Sequence, residues 1–398
     1  MFPIEQLPNE LLVHIFRLMN PVDRLRVERV CTRWNILAKN CGWFQFNKLS
    51  INSFPTASAL NNVPGKNELK WLFSRCGRYI RELDMAGPLL DDGTLSDLLP
   101  MLANLGHLNL ANNEEIFAGL IKVLSECQGI ESPATALKFL EYSDAAYHQE
   151  LFRQIAEQKI QLHGLGLLSI SLDEVMLMSL RRIDCSRMKY FSIRLDLGSE
   201  LCFSMTLAGM PNLVALEVLT QGATEFLDEV VEAIVQGCPK LKLLKLVVLN
   251  PEELVVSSLN NLTAIKLSAV SIQLCGSGGS HDLSNFLKQV SSHGLLKFFD
   301  TNASLSNDSI CQAMRECKNL NRLFWDETNF SFNELFDVLD AIHAGKAPVT
   351  NGDESMLRIS ADQNVSHPWI INITGNQLHR IRGAGLPPLM DSMGYWGL

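Results

Sequence analysis

A short apolar signature, LxxLxL, recurs along most of this 398-residue chain and restricts the folds open to it. Copies start at Ile80 (with Leu83 and Met85), Leu105 (Leu108, Leu110), Leu162 (Leu165, Leu167) and Leu180 (Ile183, Cys185). Others start at Leu213 (Leu216, Val218), Leu241 (Leu244, Leu246), Leu262 (Ile265, Leu267) and Leu320 (Leu323, Trp325). The alternation inside each copy is the period of a half-buried strand. Several neighbouring copies stand about 21 to 28 residues apart, room for one strand and one helix or 3-10 turn each. The wider gap after Leu262 leaves room for a further copy at Leu296, Phe299 and Thr301. Helix-like segments fill the intervals at 114–127, 225–236, 281–292, 307–317 and 333–344, and Trp369 to Ile373 reads as one more strand. A unit this small cannot bury its own apolar face, so successive units have to stack and share a core.

One copy, Leu105-Gly-His-Leu108-Asn-Leu110-Ala-Asn-Asn113, resembles the leucine-rich repeat, LxxLxLxxN. Cys127, Cys238 and Cys317 each stand three residues before the next apolar position (Ile130, Leu241, Leu320), which resembles the cysteine-containing class of these repeats. They read as small buried side chains at helix–strand corners. The resemblance implies an α/β fold: a curved solenoid with a parallel sheet on its concave face and helices outside. Residues alternating with the leucines then face away from the core. His107 and Asn109 are among them. Glu82, Asp84, Arg182, Asp184, Lys245, Lys266, Arg322, Phe324 and Asp326 are the candidate contacts for a protein substrate.

Residues 7 to 34 carry a different pattern, LPNELLVHIFRLMNPVDRLRVERVCTRW. Pro8 suits a helix start, and Asn9 and Glu10 suit its positive end. Leu11, Leu12, Ile15, Phe16 and Met19 follow at three- and four-residue steps as one broad apolar stripe. Asn20-Pro21 ends that helix and opens another, with Asn20 as N-cap and Asp23 in the first turn. Val27, Val30, Cys31 and Trp34 continue the helical spacing. About forty residues in short helices cannot bury all this apolar surface internally, so a partner or the rest of the chain must cover some of it.

The joint placement of Leu7-Pro8, Pro21-x-Asp23 and Val30-Cys31-x-x-Trp34 resembles the F-box, the helical module that holds a Skp-type adaptor. The resemblance implies a three-helix module ahead of the repeats, in which Leu7, Pro8, Leu11, Ile15, Leu18, Pro21, Val30, Cys31 and Trp34 form the adaptor-facing surface or support it. It also implies a non-catalytic substrate receptor of a Skp–cullin–F-box ubiquitin ligase, with cullin and RING subunits reached through the adaptor. A non-ligase scaffold, or a repeat-type inhibitor that docks through the same module, is the alternative. The expected division is 3–47 F-box, 48–79 linker and first helical capping segment, 80–344 repeats, and 345–398 last strand and tail.

Composition narrows the classes further. With 47% hydrophobic and 19% charged residues, most of the chain should fold. A net charge of −9 argues against a nucleic-acid partner. The arginines at 24, 26, 29 and 33 read as a solvated basic face. No signal-peptide pattern and no apolar run of membrane length is visible, and ten cysteines without a CxxC pair suit reduced thiols, so the expectation is a cytoplasmic or nuclear protein without a membrane partner. The nine histidines are scattered and no GxSxG, HExxH or phosphate-binding glycine motif occurs. The expectation is a protein that is no enzyme and needs no cofactor or metal. Cys275 to Ser280 reads as a flexible loop, Gly345 to Ser355 as the end of the regular array, and the apolar tail at 386–398 as a cap or a strap across the concave face.

Overall fold

The computed structural model describes residues 4–41, 43, 46–50, 66–85, 92–110, 120, 137–141, 148–172, 174–195, 199–252, 255–275, 281–317, 320, 322–325, 369–374 and 377–378. The segments read from sequence at 114–127 and 333–344, the loop at 276–280, the stretch 345–355 and the tail at 386–398 lie outside the described residues, Leu120 excepted. The chain forms two compact units, one of residues 1–170 with 179–185, the other of residues 171–178 with 186–398.

The first unit opens with three helices, α1 (Asn9–Leu18), α2 (Pro21–Val27) and α3 (Thr32–Cys41). Short parallel strands follow, β1 (Lys48–Ser50), β2 (Glu82–Asp84), β3 (His107–Asn109), β4 (Phe139–Glu141) and β5 (Gly164–Leu172), each paired to the next. Between them lie α4 (Lys66–Cys76), α5 (Asp92–Leu98) and α6 (His148–Glu157). At one register Leu49, Leu83, Leu108, Leu140 and Leu165 stack as a buried ladder. Each leucine buried this way contributes about 1.5–3 kcal/mol.

In the second unit β6 (Tyr190–Leu195), β7 (Ala215–Gln221), β8 (Leu243–Leu249), β9 (Ala269–Cys275), β10 (Phe298–Thr301) and β11 (Arg322–Trp325) form a six-stranded parallel sheet in sequence order. Strand β12 (Trp369–Thr374) adds antiparallel to β11, with β13 (Gln377–Leu378) beyond it. Helices α7 (Glu174–Leu180), α8 (Glu200–Ala208), α9 (Thr224–Gly237), α10 (Val255–Asn260), α11 (Ser284–Ser291) and α12 (Asn307–Glu316) alternate with the strands. Phe191, Leu216, Leu244, Val270 and Phe299 make the buried ladder here, with Leu323 at the same register on β11. The sheet begins alike in successive strands: Lys189, Val214, Lys242 and Ser268 each offer one carbonyl to two consecutive N–H groups of the following strand. Cys238 and Cys317 cap α9 and α12 at their C-termini and are buried.

Two copies of the signature are misplaced in the sequence reading. Leu180 ends α7, Ile183 and Cys185 follow before any strand, and the apolar pattern Met188, Phe191, Ile193 leads into β6 instead. Leu262 lies in a 3-10 turn (Asn261–Ala264), and Leu267, Val270 and Ile272 supply the strand pattern. At both places Met, Phe, Val and Ile carry the register in place of the preceding leucine. Strands β1 and β4, around Leu49 and Leu140, were not read from the sequence.

Where the loops after β7 and β8 meet, Gly222 leaves no room for a side chain. A Cβ there would stand 2.5 Å from Pro251 Cα and 2.6 Å from the Asn250 carbonyl oxygen. The Gly222 carbonyl accepts the Glu252 N–H at 3.2 Å, which holds the two loops together. Gly222→Ala is therefore expected to cost about 2 kcal/mol, since backbone cannot be displaced cheaply. Thermal unfolding checks this; a midpoint unchanged from wild type would show that the loops yield freely.

Candidate functional site: the N-terminal helical module

Helices α1 to α3 pack around Leu12, Phe16, Val27, Trp34 and Ala38, with Leu7, Ile15, Met19 and Leu37 half-buried against them. Phe16 and Trp34 meet edge to face with ring centres 5.3 Å apart. Asn20 caps α2, accepting the Asp23 N–H at 2.9 Å, and Pro21 occupies the first helical position. Pro8 stands at the N-cap of α1, where its carbonyl accepts the Leu12 N–H.

The arginines divide. Arg26, Arg29 and Arg33 keep contact with solvent, and Arg33 donates to Asn9 Oδ1 and to the Leu7 carbonyl. Arg24 does not belong to a solvated face. It is buried, donates to the Met19 and Arg17 carbonyls, and lies over the rings of Trp43 and Phe46 at 5.5 and 5.2 Å. Backbone acceptors and two aromatic faces hold it there.

Against this core, five large aliphatic side chains point to water: Ile4 (48% exposed), Leu11 (51%), Leu18 (76%), Val30 (60%) and Ile36 (54%). Leu11 and Leu18 are seven residues apart and share one face of α1. Pro8 and Cys31 are also exposed. Of the nine candidate adaptor residues, Pro8, Leu11, Leu18, Val30 and Cys31 are thus outside, Leu7, Ile15 and Pro21 are half-buried, and Trp34 is in the core. Ile4 and Ile36 were missed; an isolated isoleucine off the main stripe gives no periodic signal.

Residues 4–48 match the F-box-like family. No curated protein matches the chain. The F-box-like module accounts for about a tenth of the sequence. Exposed aliphatics on helices that already share a buried cluster are available to be covered by another apolar surface.

The candidate substrate residues scatter. Glu82 and Asp84 lie on β2, where Glu82 pairs with Lys48 at 3.4 Å and Asp84 accepts from Ser50 Oγ at 2.8 Å. Lys245 lies on β8, and Arg322 and Phe324 lie on β11. Asp326 is outside the described residues. Arg182 and Asp184 sit in an exposed turn after α7 and Lys266 in the loop before β9, so none of the three is on a strand. Sequence reading also missed Glu217, which is buried and receives Lys245 Nζ at 2.6 Å, Ser192 Oγ at 3.2 Å and Tyr190 Oη at 3.3 Å. Its position between Leu216 and Val218 marks it as an alternating residue, but its partners lie on neighbouring strands.

Four buried thiols are held back from ionising. Burial pushes Cys76 and Cys238 up to about 12 and Cys185 to about 11, and raises Cys317 as well. Iodoacetamide at pH 8 should label exposed Cys31 and Cys275 in the native protein and reach Cys76, Cys185 and Cys238 only after unfolding. Native labelling of Cys238 at the rate of a free thiol would contradict this placement. Among the described residues, no His, Cys, Asp and Glu side chains gather in a metal-holding group, and no helix is long and apolar enough to cross a membrane.

Proposed function

We propose that this chain is the non-catalytic substrate-recognition subunit of a Skp–cullin–F-box ubiquitin ligase. The F-box-like module holds the Skp-type adaptor, and the adaptor links it to cullin and RING subunits. The strand–helix region is a leucine-rich-repeat solenoid whose strand face receives the protein to be ubiquitinated. One observation carries the reading: a module matching the F-box-like family keeps Leu11, Leu18, Val30, Ile4 and Ile36 exposed while its own core is already filled. Burying each such side chain in an interface is worth about 1.5–3 kcal/mol, enough together to offset the cost of association. The leucine ladders and the regular strand–helix alternation support the repeat assignment.

Mechanistically the protein is a template. It raises the local concentration of its substrate near a ubiquitin-charged enzyme bound elsewhere in the assembly, and it supplies no nucleophile, metal or cofactor. Such work belongs in the cytoplasm or nucleus. Affinity purification of the intact chain with mass spectrometry tests the reading. Recovery of a Skp-type adaptor together with a cullin supports it. Adaptor without cullin would favour the scaffold or inhibitor alternative, and recovery of neither would overturn the docking role.

A further inference from the structure

In the second unit, the residues alternating with the ladder form a row at one register. Ser192, Glu217, Lys245, Ser271 and Asp300 stand on β6 to β10, with Phe324 next on β11. Neighbouring strands are about 4.8 Å apart, so each residue sits beside the next. The two carboxylates of the row are in different states. Glu217 is neutralised in place by Lys245, with two hydroxyls completing its shell. Asp300 is 7% exposed and receives only neutral donors, Ser271 Oγ at 2.7 Å and Gln273 Nε2 at 2.8 Å, both on the same oxygen.

Among the residues whose side chains the structure describes, no cation pairs with Asp300. Lys245 is two strands away, about 10 Å, and is committed to Glu217. Arg194, on the same face, is on β6, four strands away. A carboxylate this dry is ordinarily paired with a cation or driven to lose its charge. Burial pushes the Asp300 carboxyl above the usual range, against the opposing pull of Ser271, Gln273 and Lys245. Keeping an acid here costs stability at neutral pH, since its folded-state pKa is raised and the penalty disappears only as pH falls.

The register also brings aromatic residues to the position. Phe298 is two residues earlier on the same face, and Phe324 is directly opposite on β11. A carboxylate beside an aromatic side chain, here Phe298, is the chemistry that recognises guanidinium and ammonium groups. We infer that Asp300 is the recognition point for a basic side chain, arginine or lysine, of a polypeptide laid across the strand face of the second unit. The inference rests on the reading that this face receives the substrate, and it gives that substrate a required charge.

The test uses the full chain, wild type and Asp300→Asn, against a positional-scanning library of synthetic nonapeptides. Wild type should prefer arginine or lysine over alanine at one position by about tenfold, the worth of one charge-assisted hydrogen bond. Asp300→Asn should lose that preference while its thermal midpoint stays level or rises. Peptide binding with no basic preference in wild type would sink this inference and leave the substrate-face reading standing. No peptide retained by either chain would sink both. Arg322 occupies the diagonal register position on β11. If it were the partner of Asp300, Asp300→Asn would lower the midpoint and leave any preference unchanged, which also overturns the inference.

Discussion

Leu11→Asp/Leu18→Asp is expected to weaken binding of a purified Skp-type adaptor by more than about a hundredfold while the chain stays folded. The two leucines lie on one face of α1, half and three-quarters exposed, and neither belongs to the buried cluster of the module. Covering each with an adaptor would contribute about 1.5–3 kcal/mol. Losing both therefore removes about 3–6 kcal/mol, and every 1.4 kcal/mol is tenfold in Kd. Two carboxylates brought into an apolar interface add a desolvation cost on top. Titration calorimetry reads the affinity and circular dichroism the fold. Full adaptor affinity in the double variant would remove this face of α1 from the interface. Changes at Trp34 or Ile15 are poorer probes. Trp34 packs on Phe16, and Ile15 is half-buried on the same cluster, so their loss would abolish binding by loosening the module itself. Leu7 is similarly compromised, because its carbonyl accepts from Arg33 and its side chain packs on the core.

Local chemistry was legible in the sequence. Asn20-Pro21-x-Asp23 specified a helix boundary that the structure places at that point, because capping is a contact between residues three apart. The strands at Leu83, Leu108, Leu165, Leu216, Leu244, Phe299 and Leu323 were legible for a similar reason, since alternation is local. What stayed hidden was the choice between faces. Leu11, Leu12, Ile15 and Phe16 all read as one apolar stripe, yet Leu12 and Phe16 turn inward and Leu11 outward. Hydrophobicity alone cannot rank two apolar faces when a partner is to cover one of them. Polar pairing across strands was hidden too. Ser192 is 25 residues from Glu217 and Ser271 is 29 from Asp300, so neither contact leaves a trace at helical or strand period.

The burial of Arg24 was missed on the same ground, and it points to the second large effect. Glu28→Ala is expected to destabilise the first unit by about 3 kcal/mol. Glu28 caps the C-terminal end of α2 and is 3% exposed. One carboxylate oxygen accepts from Trp43 Nε1 at 3.2 Å, the other from Arg75 Nε at 3.1 Å, and its carbonyl accepts from Asn35 Nδ2 at 2.7 Å. Arg75 belongs to α4, so this side chain ties the F-box-like module to the first helix of the strand–helix region. Removing one member of a buried ion pair costs about 3–5 kcal/mol, because the other charge is left without a counterion. Arg75 keeps 30% of its side chain in contact with water, which places the effect at the lower end. The buried Trp43 N–H loses its acceptor as well, and Arg24, stacked over that same ring, loses its support. Glu28→Gln retains an acceptor for Trp43 and should cost about half as much. Thermal unfolding followed by tryptophan fluorescence would show a midpoint several degrees lower for Glu28→Ala, and limited proteolysis would cut between α3 and α4 sooner than in wild type. If the midpoint and the cleavage rate both match wild type, Glu28 does not hold the module in place.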